Sequence, residues 1–147
     1  LLYEMTDINT DSLPSDKARY LMGVGTPANL LECVARGIDM FDCVMPTRNA
    51  RNGMVFTRNG RVNLRNAKWK DHHQVLDEGF PSDLSSTYSM AYIHHLFKND
   101  EIFGLNLASQ HNLTFYLWLM NEIRNHIEND TFADWYTKMV QQVEHRI

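Results

Sequence analysis

A strand–helix–strand pattern in the first third of the chain constrains the fold more than any other feature. An apolar stretch at 19–25 runs into a glycine turn, and a second apolar stretch follows at 38–44. Between them, Thr26 is a typical helix N-cap, Pro27 a typical first helical residue, and Gly37 is placed to end the helix. This order predicts a βαβ unit with two parallel strands covered by a helix.

Two parallel strands do not make a stable sheet by themselves, because such sheets need further strands and cover on both faces. The 147 residues also begin with Leu1 rather than Met. We therefore expect the chain to be the last part of a larger α/β protein. The polar segment 1–17 reads as a linker or peripheral segment.

A β-hairpin is predicted after a short loop over 45–53. Apolar residues alternate around the Asn-Gly dipeptide at 59–60, which favours a two-residue type I′ turn. Such a turn would set Thr57 opposite Val62 and place two further side chains, Val55 and Leu64, opposite each other on the same face.

The second half of the chain is predicted to be helical. After an irregular polar stretch at 70–86, one helix is expected near 87–99, a longer one ends near Glu128, and an amphipathic helix follows over 132–143. We accordingly divide the chain into 1–70, with the strands, the functional loops and the hairpin, and 71–147, a helical subdomain.

Composition excludes several classes of protein. The chain is 44% apolar and 22% charged, which is typical of a globular protein, and no apolar run approaches about 18 residues. Its start lacks the pattern of a signal peptide, and two cysteines are too few for a disulfide framework. These features predict a cytoplasmic protein without membrane contact.

The charge is unevenly distributed. The net charge is −4, from 14 basic and 18 acidic residues, which alone argues against binding to nucleic acid. The window 43–70, however, contains no acidic residue and half of all the basic ones. It indicates either a solvated basic face or a contact surface for an anion.

Asp42 is the candidate catalytic residue, because it ends a predicted parallel strand, where working residues collect in α/β proteins. A carboxylate there could be a nucleophile, a general base or a metal ligand, and it could equally cap backbone amides. In the following loop, Arg48 and Arg51 suit phosphate oxygens or a guanine edge, or else surface ion pairs. The Gly23–Gly25 turn could admit a phosphate, although a lone Gly-x-Gly is often only a turn.

Metal binding finds little support in the histidines. The pairs 72–73 and 94–95 are sequence neighbours, which point about 100° apart on a helix, so neither forms an i,i+4 ligand face. Two distant cysteines do not make a structural zinc site.

Several segments resemble the C-terminal third of bacterial tRNA-guanine transglycosylases. The similarity is carried by YLMGVGTP at 20–27 and GIDMFDCVMPTRNARNG at 37–53, and it continues in order through VNLRNA at 62–67, AYIHHL at 91–96 and HNLTFY at 111–116. It covers nearly the whole chain, and the 39–53 motif is long and specific. The resemblance implies the last βαβ strands of a TIM (β/α)8 barrel, followed by the hairpin and the helical subdomain.

The resemblance also implies a reaction. Asp42 matches the family's nucleophile, which attacks C1′ of the guanosine at the anticodon wobble position (34) of tRNAs with GUN anticodons. Guanine is expelled, and a 7-deazaguanine (preQ1 in bacteria) displaces the enzyme, as in a retaining glycosidase. The product leads to queuosine. By the same match, the base pocket includes Tyr20, Met22 and Gly23, and the RNA-binding positions are Gly23, Val24, Gly25, Thr26, Pro27, Ala28, Asn29, Thr47, Arg48, Asn49, Ala50 and Arg51.

Two departures from the family pattern lead to further expectations. The family's general acid/base Asp matches no residue of this chain, so we expect the 147 residues alone to be inactive. The family's three zinc-binding cysteines fall on Phe80, Ser82 and Ser85, while the histidine ligand is retained as His111. We therefore expect no zinc or other cofactor, with apolar packing in place of the metal.

Alternatives to this enzymatic function remain at the level of sequence. The chain could be a non-catalytic RNA-binding or dimerisation module, or the enzyme could accept the archaeal base instead. The expected partners are the tRNA anticodon loop, guanine and the 7-deazaguanine, with a homodimer as a candidate assembly.

Overall fold

The computed structural model describes residues 1–147 and contains seven α-helices and four β-strands. In chain order these are α1 (Leu2–Ser12), β1 (Tyr20–Met22), α2 (Pro27–Val34), β2 (Met40–Asp42), α3 (Met45–Arg51), β3 (Met54–Thr57), β4 (Gly60–Asn63), a 3-10 turn (Ala67–Trp69), α4 (Asp83–Ser86), α5 (Met90–Lys98), α6 (Ile102–Glu128) and α7 (Phe132–Glu144).

The predicted βαβ unit is confirmed. Strands β1 and β2 are parallel, with Tyr20 paired to Met40 and Met22 to Asp42. The Thr26 hydroxyl accepts a hydrogen bond from the Asn29 N–H and caps α2. The central residue of each strand is half-buried and its neighbours are exposed, so the sheet has one covered face and one open face that carries Asp42.

Three segments that the sequence does not predict to be helical contain helices: the N-terminal segment, the 45–53 loop and the end of the irregular 70–86 stretch, which is α4. The predictions of a loop and of an irregular stretch were wrong at these two places. The N-terminal segment forms α1, whose Thr6 and Thr10 are buried although the helix is polar overall. The predicted 45–53 loop is α3, because Pro46 lies in the first turn, where its missing N–H costs no hydrogen bond. Gly53, with a φ of +83°, follows this helix.

The hairpin forms, but its register differs from the predicted one. Val55 pairs with Val62 and Thr57 with Gly60, so the loop is 58–59 rather than 59–60. Gly60 begins β4, and this position requires glycine because a Cβ there would lie 2.6 Å from the His145 carbonyl oxygen. The shift is an even number of residues, so the predicted face is retained.

The predicted helices of the second half are confirmed as α5, α6 and α7. No helix is both long and apolar enough to cross a membrane. Two apolar clusters form the core, and each contains residues from both sides of position 70. The long helix α6 contributes to both clusters, through Leu107 and Ala108 to one and Phe115, Leu119 and Ile123 to the other. It thus connects the strands and loops of the first half to the helices of the second.

Candidate active site

Asp42 lies at the C-terminal end of β2 with its carboxylate exposed to solvent. Its Oδ1 accepts two hydrogen bonds, from the Tyr20 hydroxyl at 2.8 Å and from the Gly23 N–H at 3.1 Å. Oδ2 accepts none from the chain. One oxygen is therefore fixed and the other is available to a ligand. The hydrogen bond to Asp42 raises the pKa of the Tyr20 phenol, which keeps it a donor.

A groove of about 700 Å³ opens beside Asp42. It is predominantly apolar and runs from the β1 and β2 strands along α6, with Tyr20, Val24, Met40, Tyr116 and Met120 among its lining residues. Of the predicted base-pocket residues, Tyr20 and Met22 lie on the open face of the sheet, and 71% of Met22 is exposed. A planar base on this face would be in reach of the Asp42 carboxylate.

The 23–29 segment, predicted to bind RNA, is closely tied to the rest of the chain. Gly23, with a φ of +72°, makes the turn that directs its N–H at Asp42. Gly25 lies so close to β2 that a Cβ would be 1.7 Å from Cys43 Sγ. Asn29 donates from its side chain to the Tyr3 hydroxyl at 2.9 Å. Among the predicted RNA contacts of this segment, Gly25, Pro27 and Ala28 are buried, whereas Gly23 is exposed and Val24, Thr26 and Asn29 are half-buried.

Helix α3 presents the predicted arginines to solvent. Arg48 and Arg51 are both exposed, and neither forms an ion pair or a side-chain hydrogen bond. Thr47 and Asn49 are half-buried, and Ala50 lies in the core with no exposure. Helix α3 thus exposes two unpaired guanidinium groups, while Ala50 of the same helix is packed in the core.

The rest of the acid-free window is more structural than its charge suggests. Arg58 pairs with the buried Asp77 at 2.7 Å, and Arg65 pairs with Asp100 at 3.1 Å and donates to the Phe97 carbonyl. These two arginines hold the hairpin against the segments that follow it. The basic side chains of the window that form no ion pair are therefore Arg48 and Arg51 on α3, together with Arg61, Lys68 and Lys70.

The positions that match the family's zinc ligands lie together. Ser82 and Ser85 hydroxyls contact Nδ1 of His111 at 2.7 and 3.1 Å, and its Nε2 contacts the Phe56 carbonyl oxygen at 2.7 Å. The Phe80 ring packs edge-on against the imidazole. Burial lowers the pKa of His111, so the ring is neutral, with Nε2–H donating to Phe56 and Nδ1 accepting from a serine. The cluster around His111 therefore combines hydrogen bonds with the expected apolar packing.

One nitrogen and two hydroxyls do not suit zinc, which is held in structural sites by four nitrogen or thiolate ligands. No group of three His, Cys, Asp or Glu side chains in the chain has the arrangement of a metal site. The residues present therefore do not fit the family's metal.

Two polar residues of α6 were not identified from the sequence as part of this region. Asn112 is fully buried; it donates to the carbonyl oxygens of Pro46 at 2.9 Å and Met54 at 3.0 Å, and accepts from the Phe56 N–H. Tyr116 donates to the Gly25 carbonyl oxygen. A polar residue within an apolar helical stripe was the available signal, but its partners are distant in sequence.

Comparison with known proteins assigns the chain to a family. The family model described as queuine tRNA-ribosyltransferase matches residues 1–145. Relatives called queuine tRNA-ribosyltransferase are 53% identical over 93% of the chain in Agrobacterium fabrum, 49% over 91% in Clostridium acetobutylicum and 47% over 97% in Staphylococcus haemolyticus. These matches cover 36%, 36% and 38% of the respective relatives, so the chain spans little more than a third of their length. The chain belongs to the queuine tRNA-ribosyltransferase (tRNA-guanine transglycosylase) family, and it corresponds to a C-terminal part of the enzyme.

Proposed function

We propose that the complete polypeptide carrying this chain exchanges guanine at the wobble position of tRNA for a 7-deazaguanine, in the synthesis of queuosine. The observation that carries this proposal is the Asp42 carboxylate, with Oδ1 held by two donors and Oδ2 free at the end of a strand. Family membership supports it, as do the two unpaired arginines on the adjacent helix.

Asp42 acts as the nucleophile in this proposal. Oδ2 forms a bond to C1′ of the ribose while the bond from C1′ to N9 of guanine breaks, and guanine takes up a proton as it leaves. The incoming base then loses its N9 proton and attacks C1′ from the vacated face, which releases Asp42. Two inversions give net retention, as in retaining glycosidases. The proton transfers require an acid/base that this chain does not supply, so the 147 residues alone are proposed to be inactive.

The α3 arginines are proposed to hold the splayed anticodon strand. A nucleotide must leave the base stack before its C1′ can react, and guanidinium groups bind both phosphates and base edges. Arg48 and Arg51 suit this role because they are exposed and free of ion pairs. The 23–29 segment would approach RNA mainly through Gly23 and its neighbours, since Pro27 and Ala28 are buried.

The helical subdomain is proposed to be stable without metal. His111 is neutral and its two ring nitrogens both have hydrogen-bond partners, so the cluster is satisfied as it is. Purified protein is expected to lack stoichiometric zinc by elemental analysis. We further propose that the enzyme acts in the cytoplasm, where its tRNA substrate is found.

The test of the proposal is covalent capture of tRNA. The complete polypeptide is incubated with a tRNA carrying a GUN anticodon and a base analogue, and SDS-stable adducts are measured. We expect an adduct with the wild type and none with Asp42→Asn. Asp39→Asn is the matched control, because Asp39 directly precedes β2 and its side chain accepts a hydrogen bond only from the Arg19 backbone N–H, at 2.7 Å.

An adduct that survives Asp42→Asn would remove Asp42 from its role. Binding of tRNA that depends on residues 48–70 but gives no adduct with the wild type would instead favour a non-catalytic RNA-binding module.

A further inference from the structure

Tyr116 lies in α6, 91 residues beyond the loop that it contacts. Its hydroxyl donates to the Gly25 carbonyl oxygen at 2.5 Å, and its ring packs edge-on against Phe56. Burial raises the pKa of the phenol, so it remains a hydrogen-bond donor across the physiological range. The helix therefore holds this carbonyl from the side of the helical subdomain.

The same carbonyl is held from the side of β2. The Cys43 thiol lies 3.7 Å from the Gly25 oxygen, and no side chain larger than a hydrogen atom fits between Gly25 and the sulfur. Cys43 directly follows Asp42 in the chain. Gly25 is thus fixed between the helix and the strand that carries the proposed nucleophile.

Gly25 in turn fixes the donor to the carboxylate. Two residues earlier, the Gly23 N–H donates to Asp42 Oδ1, and its position depends on the path of the 23–25 turn. Met22, which precedes this N–H, pairs with Asp42 in the sheet, so the strand pairing and the 23–25 turn together set its direction. The contacts form a continuous series from Tyr116 through Gly25 and Gly23 to Asp42.

We infer that Tyr116 is a positioning residue for the proposed reaction: its hydroxyl sets the place of the 23–25 turn and thereby the orientation of the Asp42 carboxylate. This inference rests on the proposed function. It assigns to the helical subdomain a direct part in the geometry of the nucleophile. Tyr116 also lines the groove beside Asp42, but its hydroxyl bonds to Gly25 and not to the carboxylate.

The test compares Tyr116→Phe with the wild type in the complete polypeptide. The substitution removes the hydroxyl and retains the ring, so packing against Phe56 is preserved. Tyr136→Phe is the matched control, because the Tyr136 hydroxyl is likewise on a half-buried helical residue but makes no hydrogen bond within the chain. For each protein, the single-turnover rate of tRNA adduct formation and the dissociation constant for tRNA are measured separately.

We expect Tyr116→Phe to form the adduct about fivefold more slowly, the effect of one neutral hydrogen bond, with tRNA affinity unchanged within about twofold. Tyr136→Phe is expected to match the wild type in both measurements. A wild-type rate in Tyr116→Phe would overturn the inference and leave the proposed function intact. Equal losses of rate and tRNA affinity would also overturn it, since they indicate a general structural effect. The absence of any wild-type adduct would refute the proposed function instead.

Discussion

Cysteines at positions 80, 82 and 85 should create a zinc site. The perturbation is the triple substitution F80C/S82C/S85C, which places thiols at the positions that match the family's ligands and leaves His111 in place. His111 is already arranged as a metal ligand would be. Its Nδ1 faces Ser82 and Ser85, and its Nε2 is fixed on a backbone carbonyl, the usual outer contact of a zinc-bound histidine.

The magnitude follows from the Phe80 side chain. Phe80 is 1% exposed and packs against the rings of His111, Phe115 and Trp118. Truncating a buried Phe costs about 3–5 kcal/mol, so without metal the triple variant should unfold at a clearly lower temperature, by about 6–12 °C for a loss of about 3 kcal/mol. Zinc binding to structural sites contributes on the order of 10 kcal/mol, which more than offsets the loss.

The assay is elemental analysis combined with thermal unfolding, with and without a chelator. We expect one zinc per chain in the triple variant and a melting temperature that falls sharply on chelation. The S82C/S85C double variant, which retains Phe80, is the control and should bind zinc much more weakly. A folded triple variant with no stoichiometric zinc would show that these four positions do not converge as described, and stoichiometric zinc in the wild type would refute the metal-free subdomain.

Two further predictions concern the polar residues buried in α6. Asn112→Ala leaves two carbonyl oxygens and one N–H unpaired in the interior, which should lower the free energy of unfolding by about 3–5 kcal/mol in urea denaturation. The control Asn106→Ala, on an exposed face of the same helix, should change this free energy by less than about 0.5 kcal/mol. Equal effects of the two substitutions would refute the anchoring role of Asn112. Because the pKa of His111 is lowered in the folded state, the unfolded chain binds more protons than the folded chain once the pH falls below about 6.5. The contribution of the neutral His111 to the free energy of unfolding is therefore complete above about pH 6.5 and is lost as the pH falls from there through the folded-state pKa, with a limiting slope of about 1.4 kcal/mol per pH unit. This slope should be smaller in His111→Gln and unchanged in the control His73→Gln, whose side chain is exposed. An unchanged slope in His111→Gln would contradict the assignment of the pH dependence to His111.

Local signals in the sequence were sufficient for the βαβ unit. Thr26, Pro27 and Gly37 act within one or two turns of their own positions, so their effect on the backbone can be predicted without knowing the fold. The same holds for the position of Asp42 at a strand end, which follows once β2 is recognised.

Elements fixed by distant contacts were not predictable in this way. The sequence predicts that a loop begins at Pro46, whereas Asn112 binds the Pro46 carbonyl from 66 residues away and supports a helix there. The Asn-Gly signal of the hairpin was overridden by Asp77, which binds the Arg58 backbone and side chain, and by the close approach of His145 to Gly60. The part that α6 plays in the candidate active site depends on contacts of this kind.

The tight contact between Gly25 and Cys43 makes the thiol a natural reporter of loop motion. Gly25 closes one side of this half-buried sulfur, so a 23–25 turn that lifts away from β2 exposes more of the thiol to an alkylating reagent and raises its labelling rate. The other cysteine, Cys33, is completely buried and stays silent in such an experiment. A rise in the labelling rate of Cys43 therefore indicates that the turn has opened, one residue away from the Asp42 carboxylate, without any engineered probe.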